Sequence, residues 1–185
     1  MKKKILVSMD PGATVSVIDS SCAAAVKNAA YAVCVPQWFV SYACGAVKGG
    51  TKVATLISLP NGTTSTFAKY AETKQAADNG ADIVIIPMNM EMVKRGDITS
   101  AKGDLNSALG AVKGKKIEAF AIIDGSTEDG MVEAASAAAD ATKTPVLVMN
   151  PSEEALKAIS KAGVKFGIYA RKDEMGSEIF ASSAV

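Results

Sequence analysis

Short, unbroken apolar runs alternate with longer, alanine-rich stretches along the chain. The runs lie at 5–9, 31–35, 52–59, 82–88, 117–123, 145–149 and 164–169. Their length and β-branched content predict strands, and turn residues such as Asp10-Pro11-Gly12, Pro36, and Pro60-Asn61-Gly62 close several of them. Because the runs are continuous rather than alternating, the strands are expected to be covered by helices and to run parallel. The stretches between them predict helices at 14–28, 38–47, 66–79, from Asp97 or Thr99 towards 112, at 126–141, and from Asn150 or Ser152 to 162. Thr14 is an expected N-cap, Gly80 a C-terminal stop, and Ser126-Thr127-Glu128-Asp129 a capping-box-like start.

Repeated βα units of this length build either a (β/α) barrel or an open, doubly wound sheet, and periodicity alone does not choose between them. No linker or low-complexity tract divides the chain. One domain is expected over 1–170, followed by a C-terminal tail, 171–185, expected as a short helix or a frayed end.

Composition narrows the function classes. In 185 residues, 49% are apolar and 21% charged with a net of +1, which describes a globular protein and gives no electrostatic case for nucleic acid or anionic lipid. No stretch approaches the about 18 apolar residues of a membrane span. The apolar run after Met1-Lys2-Lys3-Lys4 is shorter than the about 7–15 residues of a leader's apolar region. Cys22, Cys34 and Cys44 form no CxxC pair and read as buried thiols in a reducing, cytoplasmic setting. The chain has no histidine, which removes Ser-His and Cys-His nucleophile pairs and His-ligated zinc.

Several segments, in order and in step, resemble the deoxyribose-phosphate aldolases. These are Tyr31-Ala32-Val33-Cys34-Val35-Pro36, the third apolar run ending in Leu59-Pro60-Asn61-Gly62, then Lys69, Glu72-Thr73-Lys74, Gly80-Ala81-Asp82, Asn89, Lys94 and Gly96-Asp97. The resemblance runs from 10 to 140. It implies a TIM-type (β/α) barrel and class I aldolase chemistry on a small phosphorylated aldehyde or sugar, with no cofactor. In that chemistry a lysine forms a Schiff base with the substrate carbonyl, and the imine draws electrons from the bond that breaks. A second lysine lowers the pKa of the first, and an aspartate at the end of the fourth strand handles protons.

The sequence departs from that pattern where the chemistry lies. Ile85 stands at the fourth-strand aspartate position and Ile5 at about the first-strand one. The sixth run, Pro145-Val146-Leu147-Val148-Met149, has no lysine. Gly167-Ile168-Tyr169-Ala170-Arg171 stands where a phosphate loop is implied. The segment 151–169 resembles the family's last helix and strand arriving early, so one βα unit is expected to be missing, leaving about seven strands. An eight-unit barrel typically takes about 200–250 residues, which agrees. A barrel short of one unit must close with fewer strands, stay open, or cover the gap with a partner, so a homo-oligomer is expected.

Among residues that could still carry chemistry, Cys34 matches a pocket cysteine of the family and is otherwise a small buried hydrophobe. Asp124 matches an acidic residue at the barrel mouth and is otherwise a turn residue. Asn89 and Asp10 follow the fourth and first strands. Arg171 and Lys172 are the basic pair nearest the expected phosphate end. Asp10, Asp124 and Asn89 would suit Mg²⁺, though nothing in their spacing demands a metal. The expected function is a non-catalytic or altered-function aldolase relative used for binding or assembly. An active lyase with a displaced lysine such as Lys172 stands beside it, as does an open, doubly wound domain that binds a small ligand.

Overall fold

The structure, a computed structural model, describes residues 3–9, 12–59, 62–164, 166–172 and 176–181, and for 3, 4, 129, 166–172 and 176–181 the backbone alone. Among the described residues, eight strands and seven α-helices follow one another as β1 (Lys3–Val7), α1 (Val15–Lys27), β2 (Ala32–Cys34), α2 (Val40–Ala46), β3 (Lys52–Leu56), α3 (Thr66–Asp78), β4 (Ile83–Pro87), α4 (Met90–Lys94), α5 (Ile98–Gly110), β5 (Glu118–Asp124), α6 (Asp129–Asp140), β6 (Val146–Met149), α7 (Glu153–Lys161), β7 (Phe166–Lys172) and β8 (Gly176–Ala181). A 3₁₀ turn, Gln37–Phe39, leads into α2.

The strands pair in sequence order and the sheet closes on itself. This settles the choice left open above: the sheet is a barrel, and the open doubly wound arrangement is overturned. From β1 to β6 each strand runs parallel to the last, and β7 follows parallel beside β6. β8 then turns back antiparallel between β7 and β1. Three residues separate Lys172 from Gly176, whereas a parallel return needs a crossover of about a dozen or more. Arg171 and Lys172 thus belong to β7, and the segment read as a tail supplies the closing strand.

Local chemistry explains most helix starts. Thr14, Ser65, Asn89, Asp97 and Ser152 each accept a backbone N–H of the first turn, satisfying donors that have no partner within the helix. The capping box expected at Ser126 does not form. Ser126 turns to Asp124 instead, and α6 starts after Glu128, which makes no side-chain cap. The third strand ends earlier than its apolar run, because Ser58 takes a left-handed conformation (φ 57°) and gives its N–H to Glu72 Oε2 at 2.6 Å.

Two apolar compartments result. The larger lies between sheet and helices and includes Ile18, Val33, Val53, Ile86, Leu105, Val132 and Ile159. The smaller fills the barrel lumen with Ile5, Val7, Ala32, Cys34, Ala54, Ile83, Ile85, Phe120, Ile122 and Leu147. Residues two apart face the same way along a strand, so each continuous run feeds both compartments. That is why the runs show no polar alternation.

Candidate functional site at the barrel mouth

Helix N-termini and the C-terminal ends of the parallel strands share one end of a (β/α) barrel, and ligand sites are built there from the connecting loops. At this end Met9, Leu56 and Met149 pack on the lumen cluster as its half-buried cover. Below them the lumen is filled: Cys34, Ile85 and Leu147 are fully buried and Ile122 nearly so. A ligand at the mouth therefore meets an apolar floor.

The polar groups sit on the rim over β4 and β5. Pro87 pairs with Ile122 across these strands, so Asn89 and Asp124, two residues further along each, follow adjacent strand ends. Asn89 is buried, and its Oδ1 accepts the Met92 N–H at 3.3 Å as the cap of α4. Asp124 Oδ1 accepts both the Ser126 N–H (3.0 Å) and the Ser126 hydroxyl (2.7 Å). Lys94, on α4, donates to Glu91 Oε1 at 2.9 Å. That bond holds its ammonium above the ordinary lysine pKa, with a smaller push from the Asp124 charge. The rim thus offers an amide, a carboxylate and an ammonium, engaged in a cap bond, turn bonds and the bond to Glu91 respectively.

Of the other residues singled out from sequence, Cys34 is not on the rim. It lies in the lumen, paired with Val7 and Ala54 on the neighbouring strands, and burial pushes its thiol far above the ordinary value. A thiol held protonated is a poor nucleophile. Arg171 and Lys172 end β7 at the mouth, and their side chains lie outside the described atoms. Asp10 lies outside the described residues altogether. Among the described residues no group of three His, Cys, Asp or Glu side chains could hold a metal ion, and no helix is long and apolar enough to cross a membrane.

Two lysines gain meaning that composition did not disclose. Lys69, on α3, is fully buried. Its ammonium donates to Gly62 O and Pro87 O, both at 3.0 Å, and to the Asp104 carboxylate on α5. Three donors meet three acceptors, leaving this lysine, the one closest to the end of β4, fully engaged. Asp104 Oδ1 also accepts the Thr66 hydroxyl at 2.8 Å. The signal was present in the sequence: Lys69, Thr73 and Ala76 share the i, i+4, i+7 stripe that faces inward, and polar residues on such a stripe need partners. Lys52 marks the opposite end of the barrel. It bonds the Glu118 carboxylate and the Tyr31 hydroxyl (2.7 Å), and sits 4.6 Å from the Tyr31 ring centroid. Its pKa is raised, mainly by Glu118 and then by Tyr31, so it stays an ammonium.

No family model matches the chain. Curated proteins do match. The chain is 34% identical over 110 residues to deoxyribose-phosphate aldolase of Streptococcus equi subsp. zooepidemicus, covering 59% of this chain and 50% of that one. It is 32% identical over 134 residues to the Streptococcus uberis protein of the same name, covering 70% and 61%. The chain thus spans about half the length of the first of these relatives and less than two thirds of the second. Among solved structures, a provisionally assigned deoxyribose-phosphate aldolase from Coccidioides immitis superposes with a TM-score of 0.80 at 23% identity, over 89% of this chain and 70% of that one. The tetrameric deoxyribose phosphate aldolase of Aeropyrum pernix superposes with a TM-score of 0.68 at 12% identity, over 88% and 74%. Both are similar in fold.

Proposed function

The chain is a homologue of the deoxyribose-phosphate aldolases over part of its length, and on that premise we propose that it is a non-catalytic relative which keeps the barrel for binding and assembly. The carrying observation is the lumen. Ile85, at the position the resemblance gives to a proton-handling aspartate, is fully buried among Ile83, Phe120, Ile122 and Leu147. β6, where the Schiff-base lysine is implied, is Val146-Leu147-Val148-Met149. A charged aspartate or lysine in that packing would lose its hydration without gaining a partner. In a chain freed from catalysis, apolar replacements there add stability.

The ligand this reading assigns to the mouth is a small phosphorylated aldehyde or sugar, held above the apolar floor without turnover, with Asn89, Asp124 and Asp10 as candidate contacts and Arg171 as an anion partner. Cys34 forms part of the floor. No cofactor enters, and neither nucleic acid nor a membrane is a partner. The setting is cytoplasmic and the state a homo-oligomer. The antiparallel β8 stands, on this reading, in place of a lost βα unit.

A second reading keeps the lyase. Lys172 is the last residue of β7, at the mouth, and would be the displaced Schiff-base lysine. Borohydride trapping decides between the two. The protein is incubated with deoxyribose 5-phosphate or acetaldehyde, reduced, and weighed intact beside an active aldolase. An unchanged mass supports the non-catalytic reading. A stable adduct mapped to one lysine overturns it.

A further inference from the structure

The two ends of the barrel carry opposite charge, which the net of +1 for the whole chain conceals. At the mouth, where helices start, Glu91, Asp97, Asp124, Glu128, Glu153 and Glu154 outnumber Lys94 and Arg95. At the base, where helices end and parallel strands begin, the excess is cationic. Lys27, Lys48, Lys113, Lys116, Lys143 and Lys161 are exposed there, and none of the six makes an ion pair among the described residues. Three more lysines share carboxylates: Lys74 and Lys115 both donate to Asp78, and Lys52 bonds Glu118. Of the other described carboxylates at this end, Asp82 accepts the Val53 N–H at 2.9 Å, and Asp140 ends α6. Nine lysines against four carboxylates leave the described base at a net of +5.

The helix dipole explains only part of this. A helix C-terminus favours a cation, which accounts for Lys27 and Lys161 in the last turns of α1 and α7. Lys48, Lys113, Lys116 and Lys143 lie in the loops beyond α2, α5 and α6. Lys143 is held at φ 63°, in the left-handed region that costs a side chain free energy and a glycine almost none.

We propose that the base of the barrel is a docking face for an acidic polypeptide segment, rich in Asp and Glu, of a partner protein. The inference stands apart from the ligand assigned to the mouth. The acidic mouth does not cancel the field at the base. α1 has 13 residues, which sets the ends about 20 Å apart, against a screening length of about 8 Å at physiological salt.

Chemistry selects the partner. Asp78, which accepts from Lys115 at 2.9 Å and from Lys74 on its other oxygen, already makes the contact that an incoming carboxylate would repeat. The six free lysines stand on separate elements around the base, and a flexible segment can reach several of them in turn. Single-stranded nucleic acid would need aromatic rings to stack on, and the exposed ones, Trp38, Tyr42, Phe67 and Tyr70, lie early in their helices, towards the mouth. A membrane-bound basic face adds apolar anchors. Of the exposed large apolar groups only Val26, near the end of α1, lies close to the base.

The test is titration of a dye-labelled poly-glutamate peptide followed by fluorescence anisotropy, with a DNA duplex of random sequence and phosphatidylserine vesicles as alternative anions. The expected result is saturable binding of poly-glutamate that weakens between about 50 and 200 mM salt. Lys116→Glu and Lys143→Glu should each raise Kd about fivefold. Lys102→Glu, the same charge change in the second turn of α5, should leave it within about twofold. Absence of binding at the lower salt overturns the docking face. Binding that the base variants leave unchanged, or that Lys102→Glu weakens as much, overturns its location. Tighter binding of the duplex or the vesicles than of poly-glutamate overturns the partner class. Circular dichroism melts confirm that each variant is folded.

Discussion

Lys69 and Asp104 form an ion pair that water does not reach: their side chains are 0% and 1% exposed. The pair joins α3 to α5, and through Gly62 O and Pro87 O it also pins the loop after β3 to the end of β4. Gly62 is fitted to that contact. Its φ is 67°, and a Cβ there would come within 2.8 Å of the Pro87 side chain. The rim of the mouth is therefore held by a buried charge rather than by loop sequence alone.

Lys69→Met leaves Asp104 buried without its counter-charge. Loss of one partner of such a pair costs about 3–5 kcal/mol, which lowers Tm by roughly 6–20 °C in a chain of this size. The double variant Lys69→Met/Asp104→Leu removes both charges and should recover most of that loss. Thermal melts of the three proteins check it. A single variant as stable as wild type would refute the assigned role.

Ile85→Asp returns the carboxylate that the resemblance implies to the fourth strand. The lumen around it is apolar, so the charge is buried unpaired at a cost of at least about 3 kcal/mol. Burial also raises the folded-state pKa of the new carboxyl. The deficit should therefore shrink as pH falls towards the unfolded Asp value of about 3.9. Urea titrations at neutral and acidic pH test both points. Borohydride trapping of the same variant should still show no adduct, since β6 supplies no lysine.

Thiol labelling should rank the cysteines by burial. Cys44 is partly exposed, its Sγ donating to Gly80 O at 3.2 Å, whereas Cys22 and Cys34 are buried. All three thiols are raised above their ordinary pKa, chiefly by burial, Cys34 most. In native protein an alkylating reagent should modify Cys44 first and more quickly as pH rises. Cys34 should stay unmodified until denaturant opens the barrel. Early modification of Cys34, read by peptide mass, would contradict the filled lumen.

The base of the barrel predicts a loss of stability in alkali. Lys52 has a folded-state pKa raised above its unfolded value by Glu118 and Tyr31. Its contribution is present in full below the unfolded lysine value of about 10.4 and is lost as pH rises from there through the folded value. Stability of wild type should fall more steeply in that window than stability of Lys52→Met. Parallel slopes would mean that the contact is screened out by solvent.

The sequence alone determined the succession of elements from β1 to β7, apart from α4, which was read as loop. Continuous apolar runs marked β1 to β7, because strands covered on both faces need apolar residues in both directions, and caps such as Thr14, Asp97 and Ser152 placed helix starts within a residue or two. It also located the departures from the aldolase pattern, since Ile85 and a lysine-free β6 are local facts. Only the tertiary structure decided how the sheet ends. Closure depends on where β8 meets β1, a pairing across nearly the whole chain that no local pattern encodes, and the short span after Lys172 made that strand antiparallel. It likewise decided which lysines are engaged. Lys69 and Asp104 are 35 residues apart, Lys52 and Glu118 are 66 apart, and a charge reads as solvated until packing brings its partner to it. Asp124 shows the same limit at the mouth: its place at the end of β5 was legible, but its bonds to Ser126 follow from how the chain turns there.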